Sequence, residues 1–273
     1  MARIDDIQSA DGTRIALYRW EPDGEPTGEI LLCHGLGEHM GRYNHVAAAF
    51  TAKGWRVTGL DLRGHGHSDG KRGHVDDWRD YTADLRAAAD SIGKEHALVA
   101  HSMGALVSLD YLRDAKDVTA AALSGAPLEP AVPAPAWKLY GARLLNRLLP
   151  RLSMDNEIPA DWICNDPDVV KAYLADPLVF STITPRWFHH FRAASKRIQA
   201  HGNYTMPIYL WWGEDDRIVD TSKLPTFGQR IGAVTRAWTG YSHETHNEKG
   251  QADVFNEVTT WLAPHLAKET AAA

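Results

Sequence analysis

Residues 100–104 read Ala-His-Ser-Met-Gly, and this stretch decides which fold the sequence predicts. An apolar run at 96–100 leads into Ser102, and a helix-forming run at 105–113 follows it. A strand, a sharp turn that exposes a serine and then a helix form a nucleophile elbow, whose usual pattern is Gly-x-Ser-x-Gly. The turn aims the free N–H groups of the helix N-terminus at the serine, where they can stabilise an anion. Ala100 replaces the first glycine of the pattern and adds only one methyl group.

Composition excludes several classes of protein. The 273 residues carry a formal net charge of −6 with acidic and basic residues interspersed, so nucleic acid is not an expected partner. The 14 histidines form no His-Glu-x-x-His or Cys-x-x-Cys array, and no Gly-Lys-Ser/Thr phosphate loop occurs. We therefore expect neither a metal nor a cofactor. Cys33 lies in an apolar run and is predicted to be a buried thiol rather than half of a disulfide.

The sequence also bears on location. Its N-terminus has no apolar segment typical of a secretory signal, and no window approaches the roughly 18 uninterrupted apolar residues of a membrane-spanning helix. We therefore expect a cytoplasmic protein that contacts membranes, if at all, only at their periphery. The composition does not indicate an oligomeric state.

Short apolar runs alternate with helix-period segments along most of the chain. This alternation predicts an α/β protein with a mostly parallel central sheet and helices on both faces. The predicted strands lie at 4–9, 13–20, 29–33, 55–60, 96–100, 118–123, 208–212 and 233–238. The predicted helices of this core lie at 43–53, 75–92, 105–113, 222–231 and 252–266.

The alternation stops at residues 126–204, a segment that opens with a cluster of prolines. A structureless loop of this length is not expected inside a compact domain. We therefore predict a helical cap, or lid, inserted into a core formed by residues 1–125 and 205–273. Within the cap, 137–149 is amphipathic, and its apolar face either packs on the core or makes transient contact with a membrane surface. Nearby basic residues would favour the second alternative: Arg143, Arg147 and Arg151.

A serine hydroxyl becomes a strong nucleophile only when a base takes its proton, and that base is usually a histidine oriented by a carboxylate. In sheets of this kind the three groups follow the carboxyl ends of different strands, in the chain order serine, acid, histidine. The predicted strand at 208–212 is followed by Asp216, which is the preferred acid. Glu214 and Asp215 are its rivals.

Two histidines follow the last predicted strand. His243 is nearer the strand end and is the preferred base, with His246 as its rival. Negative charge that develops on a substrate oxygen needs two backbone N–H donors. Met103, at the head of the helix behind the serine, supplies one donor. Leu36, in a loop with two glycines, is the preferred source of the other.

Together these motifs carry a family resemblance. Over residues 11–262 the chain resembles the α/β-hydrolases of the monoacylglycerol lipase and lysophospholipase-like group. The matching motifs are His-Gly-Leu-Gly-Glu-His at 34–39 with Arg-Tyr at 42–43, Asp-Leu-Arg-Gly-His-Gly-His-Ser at 61–68, His-Ser-Met-Gly at 101–104, Asp-Pro-Leu-Val at 176–179, Gly-Glu-Asp-Asp-Arg at 213–217 and Tyr-Ser-His-Glu-Thr-His-Asn-Glu at 241–248.

The resemblance implies the same triad of Ser102, Asp216 and His243, acting by acyl transfer without a cofactor. The implied substrate is a lipid monoester, first of all a monoacylglycerol. Two alternatives stay open: the same chemistry on a lysophospholipid, short-chain, aryl or monoalkyl phthalate ester, and a non-catalytic binding protein of the same fold. The resemblance also implies four residues that hold the glycerol part of the substrate: Glu38, Arg42, Tyr173 and His246.

Overall fold

The computed structural model describes residues 2–132 and 135–266. The ends of the predicted core and two residues of the predicted cap therefore lie outside the described residues. The strands are β1 Arg3–Gln8, β2 Arg14–Trp20, β3 Gly28–Cys33, β4 Trp55–Leu60, β5 His96–His101, β6 Val118–Ser124, β7 Met154–Asp155, β8 Thr182–Ile183, β9 Ile208–Gly213 and β10 Val234–Trp238. The α-helices are α1 Asn44–Thr51, α2 Trp78–Ile92, α3 Met103–Tyr111, α4 Ala136–Leu148, α5 Pro167–Ala175, α6 Pro185–Ala200, α7 Leu224–Ile231 and α8 Gln251–Leu266.

Eight strands form one sheet in the order β1-β2-β4-β3-β5-β6-β9-β10. Strand β2 pairs antiparallel with β1 and with β4, and every other pairing in this sheet is parallel. Parallel neighbours need crossover connections, and here helices supply them. The predicted α/β class with a mostly parallel sheet is confirmed.

Both faces of the sheet are covered, as the alternation of side chains along β3 illustrates. Leu31 and Cys33 point into a cluster formed with α2, α3, α6 and α7. Ile30 and Leu32 point into a second cluster on the opposite face, formed with α1 and α8. Because both faces are buried, the central strands read as nearly continuous apolar runs in the sequence.

The predicted core elements are present, with ends shifted by a few residues. The helix predicted at 75–92 begins only at Trp78, because Asp77 caps it and Asp80 completes a capping box. The helix predicted at 43–53 is divided into a 3₁₀ turn, Met40–Tyr43, and α1. Such shifts arise at caps, where side-chain hydrogen bonds rather than apolar periodicity set the boundary.

Between β6 and β9, neighbours in the sheet, the chain leaves the core and returns. This excursion holds α4, α5, α6 and the short β7–β8 pair. The division into a core and a cap at 126–204 stays a prediction. In the described part of the chain, no helix combines the length and the apolar character needed to cross a membrane.

Candidate active site

Ser102 lies at the sharp turn between β5 and α3, with backbone angles φ 51° and ψ −122°. A residue other than glycine in this conformation is strained, and the surrounding structure must hold it there. Its N–H donates to the Ser124 carbonyl at 2.8 Å. Gly104 allows the turn to close, since a Cβ at that position would lie 2.4 Å from the His34 carbonyl oxygen. The elbow therefore has the local structure that the sequence predicts.

The structure brings three of the predicted side chains into one hydrogen-bonded series. His243 Nε2 lies 2.9 Å from Ser102 Oγ, and His243 Nδ1 lies 2.6 Å from Asp216 Oδ2. His243 and Asp216 are both buried. The histidine can therefore accept the serine proton on one ring nitrogen while the carboxylate fixes the other.

The loop after β9 brings Asp216, and not its two rivals, to the histidine. Glu214 and Asp215 are exposed. Asp216 Oδ1 accepts hydrogen bonds from the N–H groups of Ile218 and Val219 at 2.8 and 3.0 Å, which leaves Oδ2 for the imidazole.

Gly213 allows the acid and base loops to meet. A Cβ at Gly213 would lie 2.1 Å from the Tyr241 carbonyl oxygen and 2.2 Å from that of Ser242. Close approach of the two backbones therefore requires glycine at this position.

The pKa values of the pair shift in opposite directions. Burial by itself would lower the pKa of His243, but the Asp216 carboxylate outweighs burial and the net shift is upward. Burial would raise the pKa of Asp216, yet the imidazole and the two backbone N–H donors hold it below its usual range. The pair is therefore set to keep a carboxylate beside an imidazole that accepts a proton readily.

Both expected oxyanion donors are available. The N–H groups of Leu36 and Met103 have no hydrogen-bond partner among residues 2–132 and 135–266. The preceding amide, that of Gly35, donates instead to Glu38 Oε1 at 2.7 Å. A Cβ on Gly35 would lie 3.2 Å from the Ser102 Cβ, so this loop passes directly beside the serine.

A buried ion-pair network adjoins this loop. Arg42 donates to Glu38 Oε2 at 2.5 Å, and through two nitrogens to both carboxylate oxygens of Glu244 at 2.8 and 2.7 Å. Burial opposes the charge of Glu244, but Arg42 overcomes it and lowers the pKa of Glu244 to about 2. Sequence reasoning missed Glu244, whose partner is 202 positions away, although it directly follows the predicted base.

Two other residues expected to hold substrate lie near the network. The Arg42 guanidinium stacks over the Tyr173 ring at 4.8 Å from its centroid. The Tyr173 hydroxyl lies beside the oxyanion loop, since a Cβ on Gly37 would be 3.8 Å from it. His246 is buried behind the site, with its ring centroid 5.2 Å from Tyr43 and 4.8 Å from His101. Glu38, Arg42 and Tyr173 thus form one group, and His246 lies deeper.

Comparison with known proteins decides the family. The family model Hydrolase_4, described as serine aminopeptidase, S33, matches residues 24–250. The chain belongs to the Hydrolase_4 family. A monoacylglycerol lipase of Mycolicibacterium smegmatis is 32% identical over 266 residues, covering 93% of this chain and 95% of that protein. The monoglyceride lipase of Homo sapiens is 28% identical, covering 96% of this chain and 90% of that protein.

A solved structure agrees with these relatives. The crystal structure of Paleococcus ferrophilus monoacylglycerol lipase matches with a TM-score of 0.84 and 26% identity, covering 91% of this chain and 99% of that one. The family resemblance predicted from the sequence motifs is therefore confirmed.

In this hydrolase the Asp-Pro-Leu-Val motif at 176–179 connects the segment after α5 to the oxyanion loop. Asp176 Oδ2 lies 2.9 Å from His39 Nε2. Two residues beyond Asp176, the Leu178 N–H donates to Asp176 Oδ1, and the Phe180 N–H donates to the Gly37 carbonyl at 2.9 Å. The motif therefore has a structural role that its sequence alone does not reveal.

One buried cluster in the hydrolase has ligand atoms close enough for a metal ion, all within 4.8 Å of one another: Glu38, His101 and Glu244, among the residues that the structure describes. The Arg42 guanidinium already bridges its two carboxylates. Planar, bidentate pairing of the kind seen with Glu244 suits a guanidinium, and the two carboxylates of the cluster are satisfied by Arg42.

Proposed function

We propose that this hydrolase cleaves the ester bond of monoacylglycerols, releasing a fatty acid and glycerol, with Ser102 as nucleophile, His243 as base and Asp216 as acid. The observation that carries the proposal is the continuous series of hydrogen bonds from Ser102 through His243 to Asp216. The relatives named as monoacylglycerol and monoglyceride lipases support the choice of substrate, because the match covers most of both chains.

The proposed reaction has two acyl-transfer steps. His243 takes the Ser102 proton while Oγ attacks the ester carbonyl, and the N–H groups of Leu36 and Met103 donate to the oxyanion. The intermediate collapses, the C–O bond to glycerol breaks, and His243 returns the proton to the departing alkoxide. Water then attacks the acyl-enzyme by the same route, and the fatty acid leaves with Ser102 restored.

We place the glycerol part of the substrate next to Glu38, Arg42, Tyr173 and His246. Tyr173 is best placed for direct contact, since its hydroxyl lies beside the oxyanion loop. Burial raises the pKa of Tyr173 to about 12, so the hydroxyl stays protonated at neutral pH and can donate to a glycerol oxygen. The other three groups line the same region more deeply.

The buried network argues against a peptide substrate. An aminopeptidase site needs a carboxylate to receive the positively charged N-terminus of its substrate. Glu38 and Glu244 are both paired with Arg42, so neither carboxylate is free for an ammonium group. An uncharged alcohol part, such as glycerol, suits this site better.

The test is product analysis over a panel of monoacylglycerols, lysophospholipids, short p-nitrophenyl esters and compact aryl esters. We expect release of fatty acid from monoacylglycerols with the highest kcat/KM. Ser102→Ala should lose at least about a thousandfold in turnover, because serine and base act as a unit. Ser91→Ala, on α2 away from the site, is the matched control and should keep full activity. A higher kcat/KM on lysophospholipids or aryl esters would contradict the substrate, and full activity of Ser102→Ala would contradict the mechanism.

We further propose that α4 contacts membrane surfaces, and so brings the enzyme to its lipid substrate. No residue of α4 is buried, and its exposed apolar side chains include Trp137, at 71% exposure, Tyr140, Leu144 and Leu148. These positions recur at helical spacing and form one apolar face. Arg143 and Arg147 flank it, a combination typical of helices that lie at the lipid headgroup level.

A further inference from the structure

We propose that Glu244 is a positioning residue of this active site. Through the Arg42 guanidinium it fixes Glu38, and thereby the loop that carries Leu36, relative to the loop that carries His243. The inference rests on the proposed ester hydrolysis at Ser102. It concerns a residue that acts through others and does not touch the substrate.

The first link joins the base loop to Arg42. Glu244 directly follows His243, and both of its carboxylate oxygens accept hydrogen bonds from Arg42. The Asn247 side-chain amide also donates to Glu244 Oε2, at 2.6 Å, and the Glu244 N–H donates to the Ile163 carbonyl at 2.7 Å. The carboxylate is thus held from several directions, and a bidentate fork transmits its orientation to Arg42.

The second link joins Arg42 to the oxyanion loop. The same guanidinium nitrogen that contacts Glu244 Oε1 also donates to Glu38 Oε2. The other oxygen of Glu38 accepts the Gly35 N–H at 2.7 Å and the Tyr43 hydroxyl at 2.8 Å. Gly35 lies against Ser102, and the next amide is that of Leu36. A turn of the Glu38 carboxylate would therefore move the expected oxyanion donor relative to the nucleophile.

Electrostatic interactions couple the two links, because the Glu38 and Glu244 carboxylates both depend on Arg42. Carboxylate oxygens of Glu38 and Glu244 lie within 4.8 Å of each other, and both side chains are buried. Two like charges at that distance in a poorly solvated site repel strongly unless a cation lies between them. Arg42 is that cation. If Glu244 loses its charge, Arg42 loses its bidentate ionic partner and keeps the hydrogen bond to Glu38 and the contact with the Tyr173 ring, so the guanidinium is less firmly oriented toward the Glu38 carboxylate.

The test compares Glu244→Gln, which keeps size and removes charge, with the wild-type enzyme on a monoacylglycerol and on p-nitrophenyl butyrate. Displacement of an oxyanion donor acts on the transition state, so we expect kcat to fall about 10- to 100-fold on both esters with KM changed less than about threefold. Affinity for a trifluoromethyl ketone, which forms an oxyanion at the serine, should fall by the same factor as kcat/KM. Glu244→Asp should restore part of the loss.

The matched control is Asp84→Asn, which removes a buried carboxylate from another bidentate arginine pair, with Arg63. It should lower thermal stability and leave kcat unchanged. The inference is overturned if Glu244→Gln behaves like this control. It is also overturned if the loss lies in KM for the glycerol ester alone, which would make Glu244 a recognition residue.

Arg42→Lys is a second variant, should Glu244→Gln fail to fold. It keeps a cation between the carboxylates but loses the fork. On p-nitrophenyl butyrate, which has no glycerol part, we expect kcat to fall with KM changed less than about threefold. Failure of the proposed function has a different signature, because wild-type enzyme would then hydrolyse neither ester or Ser102→Ala would stay active.

Discussion

His243 is subject to two opposing influences on its proton, and the balance between them can be measured. Burial disfavours the imidazolium, and the Asp216 carboxylate 2.6 Å away favours it more strongly. The base must be neutral to take the Ser102 proton. Activity should therefore rise with pH through the pKa of His243, and that pKa lies above the ordinary value of 6.5.

Asp216→Asn removes the largest influence that raises this pKa and leaves burial, which lowers it. We expect the acidic limb of the kcat/KM–pH profile to lie above pH 6.5 in the wild-type enzyme and to move to lower pH in the variant. Turnover should fall by about 10⁴-fold, as expected when the imidazole loses its orienting carboxylate. Asp215→Asn, the exposed neighbour, is the control and should leave the profile unchanged. An acidic limb at the same pH in Asp216→Asn and the wild-type enzyme would contradict this account.

At the level of single residues, spacing in the sequence limits the candidates for each catalytic role but does not select one of them. Three acidic residues follow β9, and spacing alone leaves all three open. The structure brings Asp216 to the imidazole because Gly213 admits the base loop and two backbone N–H groups orient the carboxylate. Glu244 has no recognisable signal, since its meaning depends on Arg42, which lies in a different part of the chain.

Secondary-structure elements can be predicted from the sequence where both faces of the element are buried. The central strands stand out as apolar runs, and β4 has the bounds that were predicted. The sequence predicts that the cap is helical but does not predict α5 and α6 as separate helices. Each begins with a proline after a capping residue. No residue of α5 is buried, so α5 has no apolar face packed into the core, and the buried positions of α6 include the polar Ser195. The aromatic cluster at 187–191 belongs to α6, where Trp187 is buried against the core.

The exposed face of α4 leads to a prediction about membranes. Wild-type enzyme should sediment with vesicles that contain anionic lipid. Trp137→Ser combined with Leu148→Ser should lower binding at least about tenfold, since these side chains would enter the lipid interface. Reversing Arg143 and Arg147 to glutamate should lower binding to anionic vesicles but not to neutral ones, because each basic group contributes about 1 kcal/mol there.

The control for the α4 variants is Val234→Ser, which removes an apolar side chain that is 51% exposed on the edge strand β10. It should leave vesicle binding unchanged. Absence of sedimentation by the wild-type enzyme would contradict the membrane proposal. A dimer in analytical ultracentrifugation that dissociates in Trp137→Ser would instead assign the face to a contact between two copies.

Many histidines of this molecule are shielded from solvent. Burial lowers the pKa of eight of them and is the largest influence on each: His34, His45, His65, His74, His96, His101, His190 and His246. Each of these side chains takes up a proton less readily in the folded protein than in the unfolded chain, where its pKa lies near 6.5. Between pH 6.5 and pH 5 the unfolded chain therefore binds more protons, so the free energy of unfolding falls as the pH falls.

His246 allows this dependence to be tested quantitatively. Its pKa is lowered to about 3 in the folded protein, mainly by burial and against the opposing Glu244 carboxylate. Relative to an unfolded pKa of 6.5, this one group would remove about 2 kcal/mol of stability at pH 5. The lowered pKa values of Asp216 and Glu244 affect the free energy of unfolding only below about pH 4.5, outside the range from pH 6.5 to pH 5. The raised pKa of His243 acts in the opposite sense, adding stability that is lost as the pH rises through it.

Urea unfolding at pH 7, 6 and 5 measures the net effect of these pKa shifts on the free energy of unfolding. We expect the free energy of unfolding to fall steadily below pH 6.5, because the eight histidines whose pKa is lowered by folding outnumber His243, whose pKa is raised. In His246→Gln the decline should be shallower by up to about 1.4 kcal/mol per pH unit, the contribution of one proton. His189→Gln, exposed on α6, is the matched control and should keep the wild-type slope. Equal stability at pH 7 and pH 5 would mean that these imidazoles are not buried neutral in solution, and the packing around the base loop would have to differ from that described.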